Sequence, residues 1–448
     1  MPLDSIVNIN ISLQAPPATR ASFGIGLVMG DFSPAQEAAF GADLTVEVLP
    51  QNWETTLTAL GFTTSDPLWV FAQRHFGQDR VPERLIVGRR ATQVAQVNTY
   101  LVTGATDGTY TISINGNDYS FVASGNTADE IRDGLVAAVN GGSDPVTAAP
   151  TIAATLTVTA DQAGIPFLSA TSSTGDSITD TATTPNTGIV DDMVAINGER
   201  SDWYMVHELQ RDIEEGVILA QAVESFSRDI TCNLQTDDPL AQSTDAQTDL
   251  GGRLQALNLV RTTVGWYPSD AEFYDAALSG KMLPTDPGSE TWANQDLRLV
   301  AGISINDDLT SESRLLAKNY TFLEAFPAAS FAMTRNGTVA SGQFIDVIRL
   351  RDNIKNEMQL RYAEALRDNG KIPYTDGGGD ILASIARGTL EDFADSGGVV
   401  ADSIDVRVPL VQNQTDADKG NRHFPDVDWD ATLQGAIHTL AVNGSLSP

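Results

Sequence analysis

Several groups of residues in this sequence are of the types that chemistry uses, and their spacing decides what each can do. Four histidines, His75, His207, His423 and His438, could ligate zinc or relay protons, but no two stand at the short interval that places two imidazoles on one ion. Each reads more cheaply as a core or surface residue. Asp426, Asp428 and Asp430 alternate like the opening of a calcium loop. Ala431 stands where the sharp turn needs glycine and Ile437 where the bidentate glutamate belongs, which rules out an EF-hand. Asp395-Ser396-Gly397-Gly398 has the order of a serine-protease nucleophile segment, without a matching histidine context or the all-β pattern of those enzymes. It reads as the end of a helix carrying Leu390 and Phe393. Gly377-Gly378-Gly379 lacks the Lys-Ser/Thr of a phosphate loop and a strand before it, so a turn ahead of a helix accounts for it. Cys232 is the single cysteine and is expected to be a buried, inert thiol, since one cysteine forms neither an internal disulfide nor a cysteine metal cluster. The expectation is therefore no catalytic residue, no cofactor and no metal.

The whole-chain balance points the same way. The 448 residues carry 59 acidic and 27 basic side chains, a formal net charge of −32, and such a surface repels phosphate backbones and anionic lipid headgroups. Direct nucleic-acid binding is not expected, and solubility at high copy number explains the charge. With 42% hydrophobic and 19% charged residues the chain should fold, and at roughly 150 residues per domain it should form two or three domains. No apolar run approaches the ~20 residues of a membrane span, and the start lacks a basic-then-apolar leader, so a cytosolic product without membrane insertion is expected.

The elements that would position any site read as an α/β protein. Residues 21–93 and 189–328 are expected to form a core of buried strands alternating with helices that cover both sheet faces. Its strands are Ala21 to Gly30, Arg84 to Arg89, Trp203 to His207, Ile230 to Leu234, Thr262 to Tyr267 and Leu299 to Ile305. Between residues 94 and 188 the texture turns to Thr, Ser, Ala, Asp and Gly. Tyr110, Ile112 and Ile114 alternate with polar residues up to Asn115-Gly116, and Tyr119 and Phe121 resume the alternation, which predicts a hairpin. Thr127-Ala128-Asp129-Glu130 supplies a capping box for a helix carrying Ile131, Leu135 and Val139. With further strands at Ile152 to Thr159 and Phe167 to Ala170, the expectation is a small inserted ββαββ domain, with 171–187 as a flexible return linker.

Residues 329–448 are expected to form a C-terminal α+β domain. Asn336-Gly337 predicts a hairpin between Phe331 to Arg335 and Thr338 to Ala340. A long helix should run from Phe344 to about Asp368 with Val347, Leu350, Ile354, Met358 and Tyr362 on its apolar stripe, then a helix from Asp380 to Asp395, a strand from Ile404 to Leu410 and a final strand from Gly435.

The two extremities stand out. Val7, Ile9, Ile11 and Leu13 alternate with polar residues, and Pro16-Pro17 follows at once, so this strand cannot return through a tight hairpin into its neighbour in sequence. Burying its four apolar side chains would contribute about 6–12 kcal/mol as an upper bound, enough to fasten one subunit to another. Addition to the sheet of its own subunit is the equally weighted alternative.

The opening Asn8-Ile9-Asn10-Ile11-Ser12, the Pro16-Pro17 break and the Phe23-Gly24-Ile25-Gly26-Leu27-Val28 strand resemble the start of the phage proteins of the DUF3383 type, regarded as contractile tail sheath subunits. The C-terminal order, with Gly342-Gln343-Phe344-Ile345-Asp346 opening a long helix and Val408-Pro409-Leu410 closing a strand, resembles contractile sheaths in general. The resemblance implies a structural subunit rather than an enzyme. It would polymerise in the virion as stacked, hexameric rings around a tail tube protein, after assembly in the host cytoplasm, and contact baseplate and terminator proteins. It implies linking arms at both ends: residues 1–20 with Val7, Ile9, Ile11 and Leu13, and a terminal strand with Ile437, Thr439, Leu440 and Val442. The segment 94–188 would face outward. The long helix would face the tube through Arg349, Arg351, Lys355 and Arg361. A sheath of a non-viral contractile injection machine is the nearest alternative, and an acidic α/β enzyme the distant one.

Overall fold

The computed structural model describes residues 23–90, 95–165, 167–184, 188–243, 247–303, 309–326 and 330–441. The alternating N-terminal strand with Val7, Ile9, Ile11 and Leu13 lies outside the described residues, as does Val442.

Strands β1 (Gly26–Gly30), β2 (Thr45–Val48) and β3 (Leu85–Arg89) open the core sheet. The chain then leaves through an insertion carrying β4 (Val97–Val102), β5 (Gly108–Ile114), β6 (Asn117–Ala123), β7 (Val146–Pro150), β8 (Thr155–Ala160), β9 (Ser169–Ser173) and β10 (Ile178–Thr184). It returns with β11 (Met205–Glu208), β12 (Thr231–Thr236) and β13 (Thr262–Trp266), giving a six-stranded sheet in the order β13-β12-β11-β1-β3-β2. All its pairings are parallel except that of the edge strand β2 with β3.

The strands are apolar on both faces because both faces are covered. In β1, Leu27 and Met29 point into a cluster with Ile189, Met193, Val217 and Val223 from the helices Gly188–Glu199 and Ile213–Glu224. Val28, between them, points the other way, into a cluster with Leu68, Phe71 and Ala276 from the helices Pro67–Phe76 and Tyr274–Met282. This period of two is what a pleated strand imposes, and full burial of each such side chain contributes about 1.5–3 kcal/mol. The helix Pro34–Phe40, which the reading above omits, had a legible signal: Ser33-Pro34-Ala35-Gln36 forms a complete capping box with proline in the first turn. Of the strand expected at Leu299 to Ile305, the described residues 299–303 form a single bridge, between Ile303 and Glu324, and Ser304 and Ile305 lie outside the described residues.

The insertion holds more strands than a ββαββ unit. The expected succession falls on β5, β6, the helix Ala128–Asn140, β8 and β9, and β4, β7 and β10 are additional. The Asn115-Gly116 turn and the Thr127/Glu130 capping box form as their chemistry requires. The expected flexible return is instead strand, with β9 pairing with β5 and β10 with β4. Its one-sided Thr and Ser composition suits a sheet face open to solvent, where backbone pairing rather than aliphatic burial holds the strand. Tyr100, Tyr110, Ile131, Leu135, Leu156 and Phe167 make a core that belongs to the insertion alone.

Toward the C-terminus, β14 (Phe322–Phe326) pairs with β15 (Phe331–Arg335), so the expected domain boundary at 328/329 falls inside a sheet. This also corrects the hairpin expected around Asn336-Gly337. Both residues have positive φ and turn the chain, but Val339 and Ala340 are fully buried and Ala340 N–H donates to the Thr262 carbonyl, so the segment joins the core and the partner of β15 lies upstream. The long helix Ile345–Asp368 and the helix Asp376–Asp395 pack through Leu350, Ile354, Met358, Leu390 and Phe393, and a small antiparallel pair, β16 (Asp405–Arg407) and β17 (Asp428–Asp430), completes the end. Gly377 to Gly379 lie inside the second helix rather than ahead of it: Thr375 caps it, and a Cβ at Gly378 would meet the Pro373 carbonyl at 1.9 Å.

Candidate assembly surface

In open parallel sheets ligands bind beyond the carboxyl ends of the strands, where the connections diverge to opposite faces, here between β1 and β11. In this chain that place is filled by ion pairs. Arg90, just after β3 and fully buried, donates Nη1 and Nη2 to Glu215 at 2.6 and 2.7 Å and Nε to Asp192 at 3.1 Å. Burial works against its charge and Glu215 more than offsets that, so its pKa rises. Near the end of β11, His207 Nδ1 donates to Asp275 at 2.9 Å while Arg211, in the loop that follows, grips the same carboxylate with both terminal nitrogens. Burial alone would raise Asp275, but Arg211 and His207 hold its carboxyl at about 2. Gln210 Nε2 donates to the Asp31 carbonyl at 3.0 Å and bridges the two loops. Burial pushes Glu208 up to about 7 and holds His75 down to about 3. Groups paired in this way fix loops, and a cleft of about 460 Å³ lined by Val70, Leu209, Gln210, Arg211 and Asp270 lies beside them. Among the described residues no cluster of three or more His, Cys, Asp or Glu is arranged to hold a metal, and no helix is long and apolar enough to cross a membrane.

The long helix displays its cations differently from the sequence expectation. Arg349 is 1% exposed. Its guanidinium donates to the carbonyls of Met282 at 2.9 Å, Leu283 at 3.1 Å and Phe23 at 3.3 Å and lies over the Trp292 ring, while burial lowers its pKa to about 10. It cannot present charge to a tube, and this corrects its assignment as tube-facing. The sequence signal was its place one helical turn after Ile345, on the face that Ile345 and Ile348 bury. Arg351 and Lys355 are about half exposed, but each meets a carboxylate of its own chain: Arg351 with Asp352 at 3.0 Å, Lys355 with Asp229 at 2.6 Å. Arg261 stitches the same seam, bonding Asp352 at 2.8 Å and Asp229 at 2.7 Å. Arg361 pairs with Asp392 at 2.6 Å on the neighbouring helix.

The C-terminal pair of strands is three residues long on each side and exposed over most of its length. Arg407 pairs with Asp405 on its own strand and with Asp430 across the pair. Val399 forms a bridge to Leu433, and from Gly435 to Ala441, the last described residue, the chain forms no strand within its own subunit, although a strand was expected from Gly435. Ile437 and Leu440 are 81% and 80% exposed, and Thr439 is exposed as well. Two large aliphatic side chains left in water, on a segment with strand composition and no ladder, are what an element lacking its partner looks like. His438 between them is held: its Nε2 bonds Thr291 Oγ1 at 2.8 Å and its ring meets the Phe344 edge at 4.7 Å.

The chain aligns with a chain of the helical sheath of the anti-feeding prophage in its contracted state over 98% of its own length and 99% of that chain, with a TM-score of 0.54 at 11% identity. It has the sheath fold. A chain of the six-fold symmetrised baseplate of the same prophage aligns over 98% of both chains, with a TM-score of 0.52 at 12% identity. No protein-family model matches the sequence and no curated protein matches it, so the finer likeness to DUF3383-type proteins gains no support of its own. The sheath fold here joins the α/β core, the insertion and the C-terminal helices in one chain, which is the mixed architecture expected from the alternation of elements.

Proposed function

We propose that this chain is the sheath subunit of a contractile bacteriophage tail, polymerising around a tail tube and contracting to drive that tube through a host envelope. The observation that carries the reading is the end-to-end likeness to a chain of a helical sheath, 98% of one chain against 99% of the other. It is supported by the exposed apolar side chains of Ile437 and Leu440 on a segment without a ladder. In this reading copies stack as hexameric rings and contact the tube protein, a baseplate and a terminator. The assembled sheath belongs to the tail of the virion, after subunit synthesis in the host cytoplasm. The N-terminal strand with Val7, Ile9, Ile11 and Leu13 and the C-terminal strand with Ile437, Thr439, Leu440 and Val442 add to sheets of neighbouring copies. Such exchange gives affinity through main-chain hydrogen bonds and register through alternate side chains. Contraction is then a change between two packings of the same subunits, with no cofactor.

The same fold serves a non-viral contractile injection machine, and the anti-feeding prophage likeness favours that reading equally. Imaging of native particles separates the two, since a virion carries a capsid on the sheath-bearing tube. The shared core of both readings is tested by electron microscopy of the purified full chain and of a variant lacking residues 1–20. Ordered tubes or rings from the full chain and none from the folded truncation are expected. Monomeric full chain under all assembly conditions overturns the reading, and ordered tubes from the truncation overturn the role of the N-terminal strand.

A further inference from the structure

The segment Gln434 to Ala441 combines two features that pull in opposite directions. Ile437 and Leu440 stand about four-fifths exposed, and of the two residues between them His438 is fastened down. His438 Nε2 bonds the Thr291 hydroxyl at 2.8 Å, its ring packs edge-on against Phe344 at 4.7 Å with the planes at 85°, and its carbonyl accepts a hydrogen bond from Asn294 Nδ2 at 3.4 Å. The three partners come from two separate places in the fold. Thr291 and Asn294 lie on the loop after the helix Tyr274–Met282, and Phe344 is the N-cap of the long helix. The contact engages the ring and, through the carbonyl, a main-chain acceptor that a β-ladder would also need. A segment held in this way cannot present residues 437–440 as a continuous strand to a second copy.

We infer that His438 is a latch in cis: it parks the C-terminal segment on its own subunit, and the contact must break before that segment adds to a neighbouring copy. The inference rests on the reading of the chain as a self-assembling sheath subunit. The latch restrains a sticky segment on the free subunit and sets a threshold for polymerisation. Addition to a neighbour replaces one side-chain hydrogen bond and one ring contact by a ladder and by burial of Ile437 and Leu440. The device is weak by design, because a stronger hold would compete with the lattice itself.

The test uses the full chain and three variants: His438→Ala, Thr291→Val and a truncation ending at Leu433. His438→Ala removes the latch from the tail side. Thr291→Val removes the hydrogen bond from the other side without touching the tail. The readout is the protein concentration at which light scattering and negative-stain tubes appear. His438→Ala should polymerise at about tenfold lower concentration than the parent, the factor expected for one hydrogen bond and one aromatic contact. Thr291→Val should lower the threshold by a smaller factor, and the truncation should form no tubes. Unchanged thresholds in both substituted chains, with the truncation inactive, sink the latch and leave the linking strand standing. Raised thresholds in both folded chains also sink it, because the contact then serves the assembled state. Tubes from the truncation at the parent's concentration show instead that the C-terminal strand does not link copies, and the reading beneath the latch fails with it.

Discussion

His207 donates through Nδ1 to the Asp275 carboxylate at 2.9 Å, and neither side chain has exposed surface. Seen as two residues this is the relay half of a hydrolase. Seen in place it is a structural joint: Arg211 donates to both carboxylate oxygens of Asp275, the His207 ring meets Phe71 edge-on at 5.1 Å, and its Nε2 has no hydrogen-bond partner among the described residues. A relay needs a nucleophile and a route for substrate. This one ties the β11 loop to the helix Tyr274–Met282 across the carboxyl edge of the sheet.

Asp275→Asn tests that role. It keeps the shape but removes the charge that pairs Arg211, leaving a mostly buried cation without its carboxylate, a change that costs about 3–5 kcal/mol in buried pairs. Urea denaturation should show that loss, and a variant as stable as the parent would mean that water reaches the joint.

Glu208 makes stability depend on pH. Its folded-state pKa, raised by burial from 4.5 to about 7, lies above its unfolded value, so between those limits the folded chain holds a proton that the unfolded chain has lost. Its contribution therefore weakens as pH rises from about 4.5 to 7. His75, held down to about 3, acts oppositely and costs stability as pH falls below 6.5. Glu208→Gln, which does not titrate, should gain stability relative to the parent as pH is raised from about 5 to 8. A parent and variant that keep a constant difference over that range would place Glu208 in water.

Arg351 and Lys355 require neutral substitutions rather than charge reversals. Glutamate at either position would face Asp352 or Asp229 and loosen the seam between helix and core whether or not a tube is present. With Arg351→Gln and Lys355→Gln the internal pairs, half exposed, should cost about 0–1 kcal/mol each in thermal unfolding. If these side chains also touch an acidic tube, co-sedimentation with tubes should fall by considerably more than that loss of stability explains. Co-sedimentation equal to that of the parent refutes the contact.

Residues 95–184 should be removable. Their core shares no buried cluster with the six-stranded sheet, and Gln162 reaches the core helices through one hydrogen bond, to Asp212 at 3.0 Å, beside a cleft of about 710 Å³ lined by Phe167, Leu168, Val217 and Ile218. A chain joining residue 90 to residue 188 through a short Gly/Ser linker should unfold in one cooperative transition, measured by circular dichroism. A shortened chain without such a transition would show that the core needs the insertion.

Much of this arrangement was legible. The core strands β1, β3, β11, β12 and β13 and the Thr127/Glu130 helix follow from apolar runs and capping chemistry that act within a few residues. β2 was missed because its pattern is confined to Val46 and Val48, and β10 and the end of β9 past Ala170 because their Ser/Thr composition resembles a loop until a partner strand supplies hydrogen bonds. Arg349 was misplaced because a charged residue on a helix is ordinarily solvated; here the carbonyls of Met282, Leu283 and Phe23, from distant points in the chain, make its burial tolerable.

By itself the sequence determined what depends on neighbours in the chain: the α/β succession, the caps, the Asn115-Gly116 turn, the acidic balance and the absence of spacing for a metal or phosphate site. Only the tertiary structure decided which strands pair, which cations are spent internally and that the tail is fastened at His438 while Ile437 and Leu440 stay in water. The division is physical. Propensity and periodicity are local, whereas desolvation and ion pairing are set by groups brought together from far along the chain.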